Sequence, residues 1–276
     1  MRTLIRKYVN WLLRPLGVEV RRVDSPRLFP PIYADTIKEL LGALQELGVA
    51  SLPADARRVP LMMELMGAKL SQSVYLLGSL QKAFAVAGDV CEFGVAAGAT
   101  SALIANEMRE TDKRLWLFDS FQGLPKPSEK DRLLDDVMGL GSIDKYEGAM
   151  SFPASAVRQR LREIEFPESR TEVVEGFVEQ TLRQNRLPKQ PLRQNRLPKR
   201  AAFSYVDMDF YEPIKLALEF LHTVTSQGGF IMVDDYGFLS EGAQTAVDEF
   251  LGAHEGAYEK VFPRPFAGHF IILRRG

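Results

Sequence analysis

The chain has a single cysteine, Cys91, in 276 residues, so no internal disulfide can brace it. Cys91 lies in an apolar run and reads as a buried thiol in a reducing cytosol. Its three histidines, His222, His254 and His269, are too scattered for zinc-ligand spacing. Formal net charge is only −1, which excludes a global field steering the molecule to nucleic acid. No apolar run approaches the ~20 residues of a membrane-spanning helix. There is no G-x-G-x-x-G fingerprint of a dinucleotide site. No acidic residue precedes Glu19.

What is present is apolar and alternating. The apolar fraction of 46% suffices for a substantial core. Strands are expected over 89–94, 114–119, 171–176, 201–206 and 229–233, with helices over 60–86, 100–108, 154–164, 213–224 and 241–252 between or before them. Two further strands, near 258–262 and 268–274, come last without a helix between them. This pattern predicts an α/β fold with a Rossmann-like, seven-stranded, mostly parallel sheet, helices on both faces and an antiparallel C-terminal strand pair. Residues 125–150 are charged and weakly periodic and read as a lid loop.

Two domains of unequal weight are expected. Residues 1–52 would hold an amphipathic helix, a linker around Pro26, Pro30 and Pro31, and an accessory helix capped by Asp35. Residues 53–276 would form the main domain. On the first helix Leu4, Ile5, Tyr8, Trp11 and Leu12 share one face, with Arg2, Arg6, Lys7 and Arg14 mostly opposite. That stripe suits either peripheral contact of residues 1–22 with the inner membrane surface or docking on the domain or on a second subunit in a homodimer. Leu182–Lys189 recurs unchanged at Leu192–Lys199, and Arg183–Arg200 carries seven basic and no acidic residues. The duplication reads as an insertion in an exposed loop, or as a basic patch for an anionic partner.

The chemistry concentrates where strands end. Asp207-Met208-Asp209 follows one apolar run and Asp234-Asp235 another. Four carboxylates at neighbouring strand ends repel unless a cation lies between them, and an all-oxygen set suits a hard divalent ion. Asp207 and Asp209, two apart in an extended segment, would reach one pocket. Asp209 would serve as a general base or as a cap on the helix near Pro213. Glu92-Phe93-Gly94-Val95-Ala96-Ala97-Gly98 forms the first strand-to-helix turn, where Gly94 and Gly98 allow close approach of a ligand. Asp119 ends the next strand and could accept from a ribose diol, or cap the segment starting at Ser120.

Taken together, Glu92-x-Gly94-Val95 with Gly98, Asp119-Ser120-Phe121-x-Gly123-Leu124-Pro125, Asp207-x-Asp209-x-Tyr211, Gly228-Gly229 and Asp234-Asp235-Tyr236 resemble the macrocin O-methyltransferase (TylF-type) family of class I S-adenosylmethionine-dependent methyltransferases. The resemblance runs from about residue 60 to the C-terminus. It implies that Glu92, Gly94 and Gly98 hold the methionine end of S-adenosylmethionine. Asp119 would bind the ribose, Ser120 and Phe121 would adjoin the adenine, and Gly176 and Phe177 would flank it. Asp207, Asp234 and Asp235 would ligate Mg2+ or Mn2+, and Asp209 would be the base. The substrate implied is a hydroxyl of a sugar or glycosylated small molecule. One departure is Ala96-Ala97-Gly98-Ala99, where the family often carries Trp-Arg-Gly-Gly. A nicotinamide-linked oxidoreductase, or a non-catalytic binding protein on the same fold, are the other readings open to these residues.

Overall fold

Asp89–Phe93 forms the central strand β1, apolar enough to be buried on both faces. In this computed structural model the described residues are 44–45, 47–49, 52, 55–65, 70–182, 197–264 and 267–276. The expectations for the N-terminal helix and linker, for the helix carrying Ile37 to Leu41, and for most of the duplicated loop lie outside them. The remaining strands are β2 (Leu115–Asp119), β3 (Thr171–Glu175), β4 (Ala201–Val206), β5 (Thr225–Val233), β6 (Tyr258–Val261) and β7 (Ile271–Arg275). Their spatial order is β3-β2-β1-β4-β5-β7-β6. Strands β1 to β5 are mutually parallel, and β7 runs antiparallel between β5 and β6. The order reverses direction between β1 and β4, and open α/β sheets bind ligands beyond the carboxyl ends at such a switch point.

The helices are α1 (Arg58–Met63), α2 (Leu70–Ala83), α3 (Ala99–Glu107), α4 (Ala154–Glu163), α5 (Val178–Thr181), α6 (Tyr211–Val224) and α7 (Glu241–Ala253). Side chains alternate across a strand. Accordingly Cys91, Phe93, Phe118, Ile231 and Val233 share a core with Ile214, Leu218 and Leu221 of α6 and with Val247 and Phe250 of α7. Phe93 and Phe118 stack with ring centroids 4.2 Å apart. Glu92, on the alternate face of β1, meets Ser101 of α3. Helices therefore cover both faces.

Two expectations need correction. The single helix over 60–86 is two helices, α1 and α2, because residues 64–65 already leave helical geometry. Arg58 of α1 then reaches Glu107 of α3 through a buried two-point ion pair, at 2.8 and 2.7 Å. Met63, the last residue of α1, is 75% exposed. Residues 125–150 are aperiodic yet organised. Leu124, Tyr146, Phe210 and Leu239 form a second small core. Asp131, only 3% exposed, accepts from the Tyr211 and Ser128 amides and from the Ser128 and Ser240 hydroxyls. Among the described residues no helix is long and apolar enough to cross a membrane.

Candidate active site

At the switch point the backbones of β1 and β4 touch. Gly94 follows β1 at φ +82°, and a Cβ there would meet the Asp207 carbonyl oxygen at 1.7 Å. Only glycine permits both the left-handed turn and that approach. The hydrogen-bond ladder extends past the strand ends: Gly94 N donates to Phe118 O, Asp207 N to Phe93 O and Asp234 N to Val206 O. These bonds bring Glu92, Asp119, Asp207 and the Asp234-Asp235 pair to one end of the sheet.

Strain collects at the same place. Six described non-glycine residues have positive φ, and four of them, Ala96, Phe121, Asp209 and Asp235, follow β1, β2, β4 and β5. Each such residue costs on the order of 1–3 kcal/mol, and such residues cluster at functional sites.

Asp207, Asp209 and Asp235 offer carboxylate oxygens that all lie within 4.8 Å of one another. Asp209 is 8% exposed, and its partners are half-buried. Burial lifts the Asp209 carboxyl to about 6, despite a hydrogen bond with Asp235 that favours its charge. Burial, and then the charges of Asp234 and Asp209, push Asp207 well above its ordinary range. Burial followed by Asp209, Asp234 and Asp207 does the same to Asp235. A set of oxygen-only donors under mutual repulsion fits a hard divalent cation.

Asp234 is placed differently. Its two carboxylate oxygens accept from Gln72 Nε2, both at 2.7 Å, one also from the Tyr205 hydroxyl and the other from the Asp235 amide at 2.9 Å. The converging set is therefore Asp207, Asp209 and Asp235, in place of the expected Asp207, Asp234 and Asp235. The physical reason is local. The Asp234 oxygens are taken up by Gln72, Tyr205 and the Asp235 amide, while its charge still acts on Asp207, Asp209 and Asp235. Asp209 joins it through its left-handed backbone, since the extended geometry expected of that segment is absent. Gln72 and Tyr205 had no motif to announce them. His269 stacks on Phe238 with centroids 4.6 Å apart.

The glycine turn lies beside this cluster. Glu92 is fully buried; its Oε2 accepts from the Ser101 hydroxyl at 2.5 Å, while Oε1 has no partner among the described residues. Burial first, then the charge of Asp119 against the relief from Ser101, leaves its carboxyl pushed up to about 8. A buried acid with an unused oxygen fits a cationic ligand group.

Asp119 is already engaged. Its Oδ2 accepts from the Val95 and Ala96 amides at 2.7 and 3.0 Å, and its Oδ1 from the Phe121 amide at 2.6 Å. It thus ties the β1–α3 turn to the end of β2, with about one of a carboxylate's four acceptor positions left over. The Ser120 hydroxyl donates to Gly123 O and accepts from Gln122 N. Gly98 caps α3 in left-handed geometry. Gly176 N donates to Asp119 O, and Phe177 precedes α5. A cleft of about 570 Å³ opens beyond these residues, lined by Gln122, Leu124, Lys126, Glu147, Phe177 and Gln180 among others. It lies off the ends of β2 and β3, and its lining does not include the aspartates.

The profile of the family described as macrocin-O-methyltransferase (TylF) matches residues 64–259. A Streptomyces olivaceus protein named 8-demethyl-8-(2,3-dimethoxy-alpha-L-rhamnosyl)-tetracenomycin-C 4'-O-methyltransferase is 29% identical over 172 residues, 61% of this chain and 60% of that protein. The demethyldecarbamoylnovobiocin O-methyltransferase of Streptomyces niveus is 28% identical over 179 residues, 64% of this chain and 63% of its own length. The chain thus spans somewhat under two thirds of the curated relatives it matches. Among solved structures, the O-methyltransferase NovP superposes with TM-score 0.56 at 22% identity, covering 89% of this chain and 98% of that one. A calicheamicin methyltransferase gives 0.57 at 21%, covering 92% and 95%. At that identity the superpositions establish the shared fold. Because the family profile spans well over half of the sequence, from just after α1 into β6, this chain belongs to the macrocin-O-methyltransferase (TylF) family.

Proposed function

We propose that this chain is an S-adenosylmethionine-dependent O-methyltransferase acting on a hydroxyl of a sugar or glycosylated small molecule, with a divalent cation at Asp207, Asp209 and Asp235. The observation that carries the proposal is the convergence of three carboxylates at the switch point, beside a buried glutamate with an unused oxygen. Family membership and the sugar-directed names of the curated relatives support the choice of reaction and substrate class.

An aliphatic hydroxyl is a poor nucleophile at neutral pH. A cation such as Mg2+ or Mn2+, when bound, would lower the pKa of an oxygen placed on it. S-adenosylmethionine supplies the electrophilic methyl; the O–CH3 bond forms as the S–CH3 bond breaks. Asp207 and Asp235 would hold the cation through their carboxylates. Asp209 joins them and accepts the proton leaving the hydroxyl. Glu92 binds the ammonium of the cofactor's methionine end through its free oxygen, and Gly94 and Gly98 admit that end to the backbone. Asp119 holds the turn closed and offers its remaining acceptor position to the ribose. Ser120, Phe121, Gly176 and Phe177 border the adenine. The rest of the rate enhancement comes from orienting the two reactants in line.

The test is incubation with methyl-labelled S-adenosylmethionine and a panel of nucleotide sugars and glycosides, with and without EDTA. Label is expected in a sugar hydroxyl, lost on chelation and restored by Mg2+ or Mn2+. Full turnover in EDTA would remove the cation from the account. No transfer to any glycoside, with tight binding of S-adenosylhomocysteine retained, would leave a cofactor-binding protein without this activity.

A further inference from the structure

We propose that Gln72 is a positioning residue of the cation site, acting through Asp234; this rests on the function proposed above. Gln72 belongs to the first turn of α2 and is separated from Asp234 by 162 residues of chain. It is 5% exposed, and a buried amide without partners would be costly. Its Nε2 lies 2.7 Å from each carboxylate oxygen of Asp234. The amide is thus set with its NH2 group toward the carboxylate, donating to both oxygens. The amide oxygen then faces Gly268, where a Cβ would come within 2.6 Å of it. Glycine at 268 leaves the amide room.

The chain of contacts continues toward the cluster. Asp234, clamped by Gln72 and by the Tyr205 hydroxyl, accepts from the Asp235 amide at 2.9 Å. Asp235 is held at φ +56°, a strained setting that directs its carboxylate toward Asp207 and Asp209. A left-handed aspartate needs external support to persist. Gln72 supplies that support from a helix outside the sheet. The same turn of α2 is fixed independently: Ser71 Oγ donates to Ala267 O at 3.0 Å, and Tyr75 meets Phe270 edge-on at 5.1 Å. Groups that orient metal ligands from behind commonly change metal affinity by about 10- to 100-fold when removed.

The experiment measures Mn2+ affinity by titration calorimetry in the presence of S-adenosylhomocysteine, for wild type, Gln72→Met, Tyr205→Phe and Ser71→Ala. Affinity for S-adenosylhomocysteine and turnover against Mg2+ concentration are measured alongside. Gln72→Met and Tyr205→Phe are expected to weaken Mn2+ about 10- to 100-fold, with S-adenosylhomocysteine affinity within about twofold of wild type. Turnover should recover at saturating Mg2+. Ser71→Ala, which loosens α2 without touching Asp234, should leave Mn2+ affinity unchanged. Mn2+ affinity within about twofold of wild type in Gln72→Met, while wild type binds the ion, would overturn the proposal and leave the function standing. Equal loss of ion and cofactor affinity in Gln72→Met and Ser71→Ala alike would reduce Gln72 to a packing residue. Failure of the wild type to bind Mn2+ at all would overturn the cation site and this inference together.

Discussion

Replacing Glu92 by glutamine should stabilise the ligand-free protein while crippling its hold on the cofactor. Folding buries Glu92 fully and raises its carboxyl from about 4.5 to about 8. The folded state therefore binds the proton more tightly than the unfolded one. The associated stability is fully present below about pH 4.5 and is lost progressively as pH rises toward 8, at up to ~1.4 kcal/mol per pH unit. The introduced glutamine carries no titrating group, and it retains an oxygen to accept from Ser101. The variant should thus match wild type near pH 5 and exceed it near pH 8. Allowing for relaxation around a buried charge, the gap should be on the order of 3 kcal/mol, or roughly 5–10 °C in Tm for a domain of this size. The other raised carboxylates titrate in both proteins and largely cancel in the difference. Binding should move the opposite way. Loss of a hydrogen bond between ions costs about 1.5–3 kcal/mol, so S-adenosylhomocysteine should bind roughly 10- to 100-fold more weakly at pH 8. Differential scanning fluorimetry from pH 5 to 8 and calorimetric titration measure both halves. A Tm offset independent of pH, or cofactor affinity within about twofold of wild type, would refute the reasoning.

Three more outcomes are expected from the same geometry. Asp209→Asn removes the proton acceptor and should lower kcat by about 10²- to 10⁴-fold with cofactor affinity retained, as read by labelled methyl transfer at saturating Mg2+. Gly94→Ala places a methyl 1.7 Å from the Asp207 carbonyl oxygen on a left-handed backbone, so we expect a loss of more than about 3 kcal/mol, visible as lowered Tm or insoluble protein. Protons compete with the cation for Asp207, Asp209 and Asp235, because burial and mutual repulsion raise all three carboxyls, that of Asp209 to about 6. Mn2+ affinity should therefore rise as pH climbs through the Asp209 titration near 6, and a flat profile by calorimetry would contradict the site.

Much of this architecture is legible in the sequence because strands buried on both faces are written as apolar runs, and β1, β2, β4 and β5 all end in acids or glycine. That pattern alone places the aspartates and Glu92 at one end of a sheet. The details that escape it depend on backbone geometry or on contacts distant in sequence. Asp209 enters the cluster on a left-handed turn, which no residue spacing encodes. Asp234 is drawn toward Gln72 and Tyr205, contacts that no spacing in the sequence announces. Gln72 meets Asp234 across 162 residues, and a lone polar residue in a helix carries no signal of such a partner. Residues 125–150 lack periodicity because turns organise them, with Asp131 and the Asp136–Tyr146 hydrogen bond as anchors. Asp119 reads as a ribose ligand; its bonds to the Val95 and Ala96 amides are specified by loop shape alone.

The most direct test of the central claim is anomalous diffraction from crystals grown with Mn2+ and S-adenosylhomocysteine. The account predicts one strong manganese peak in contact with Asp207, Asp209 and Asp235, and none with Asp207→Asn crystals. A peak elsewhere, or none with the cofactor product in place, would contradict it.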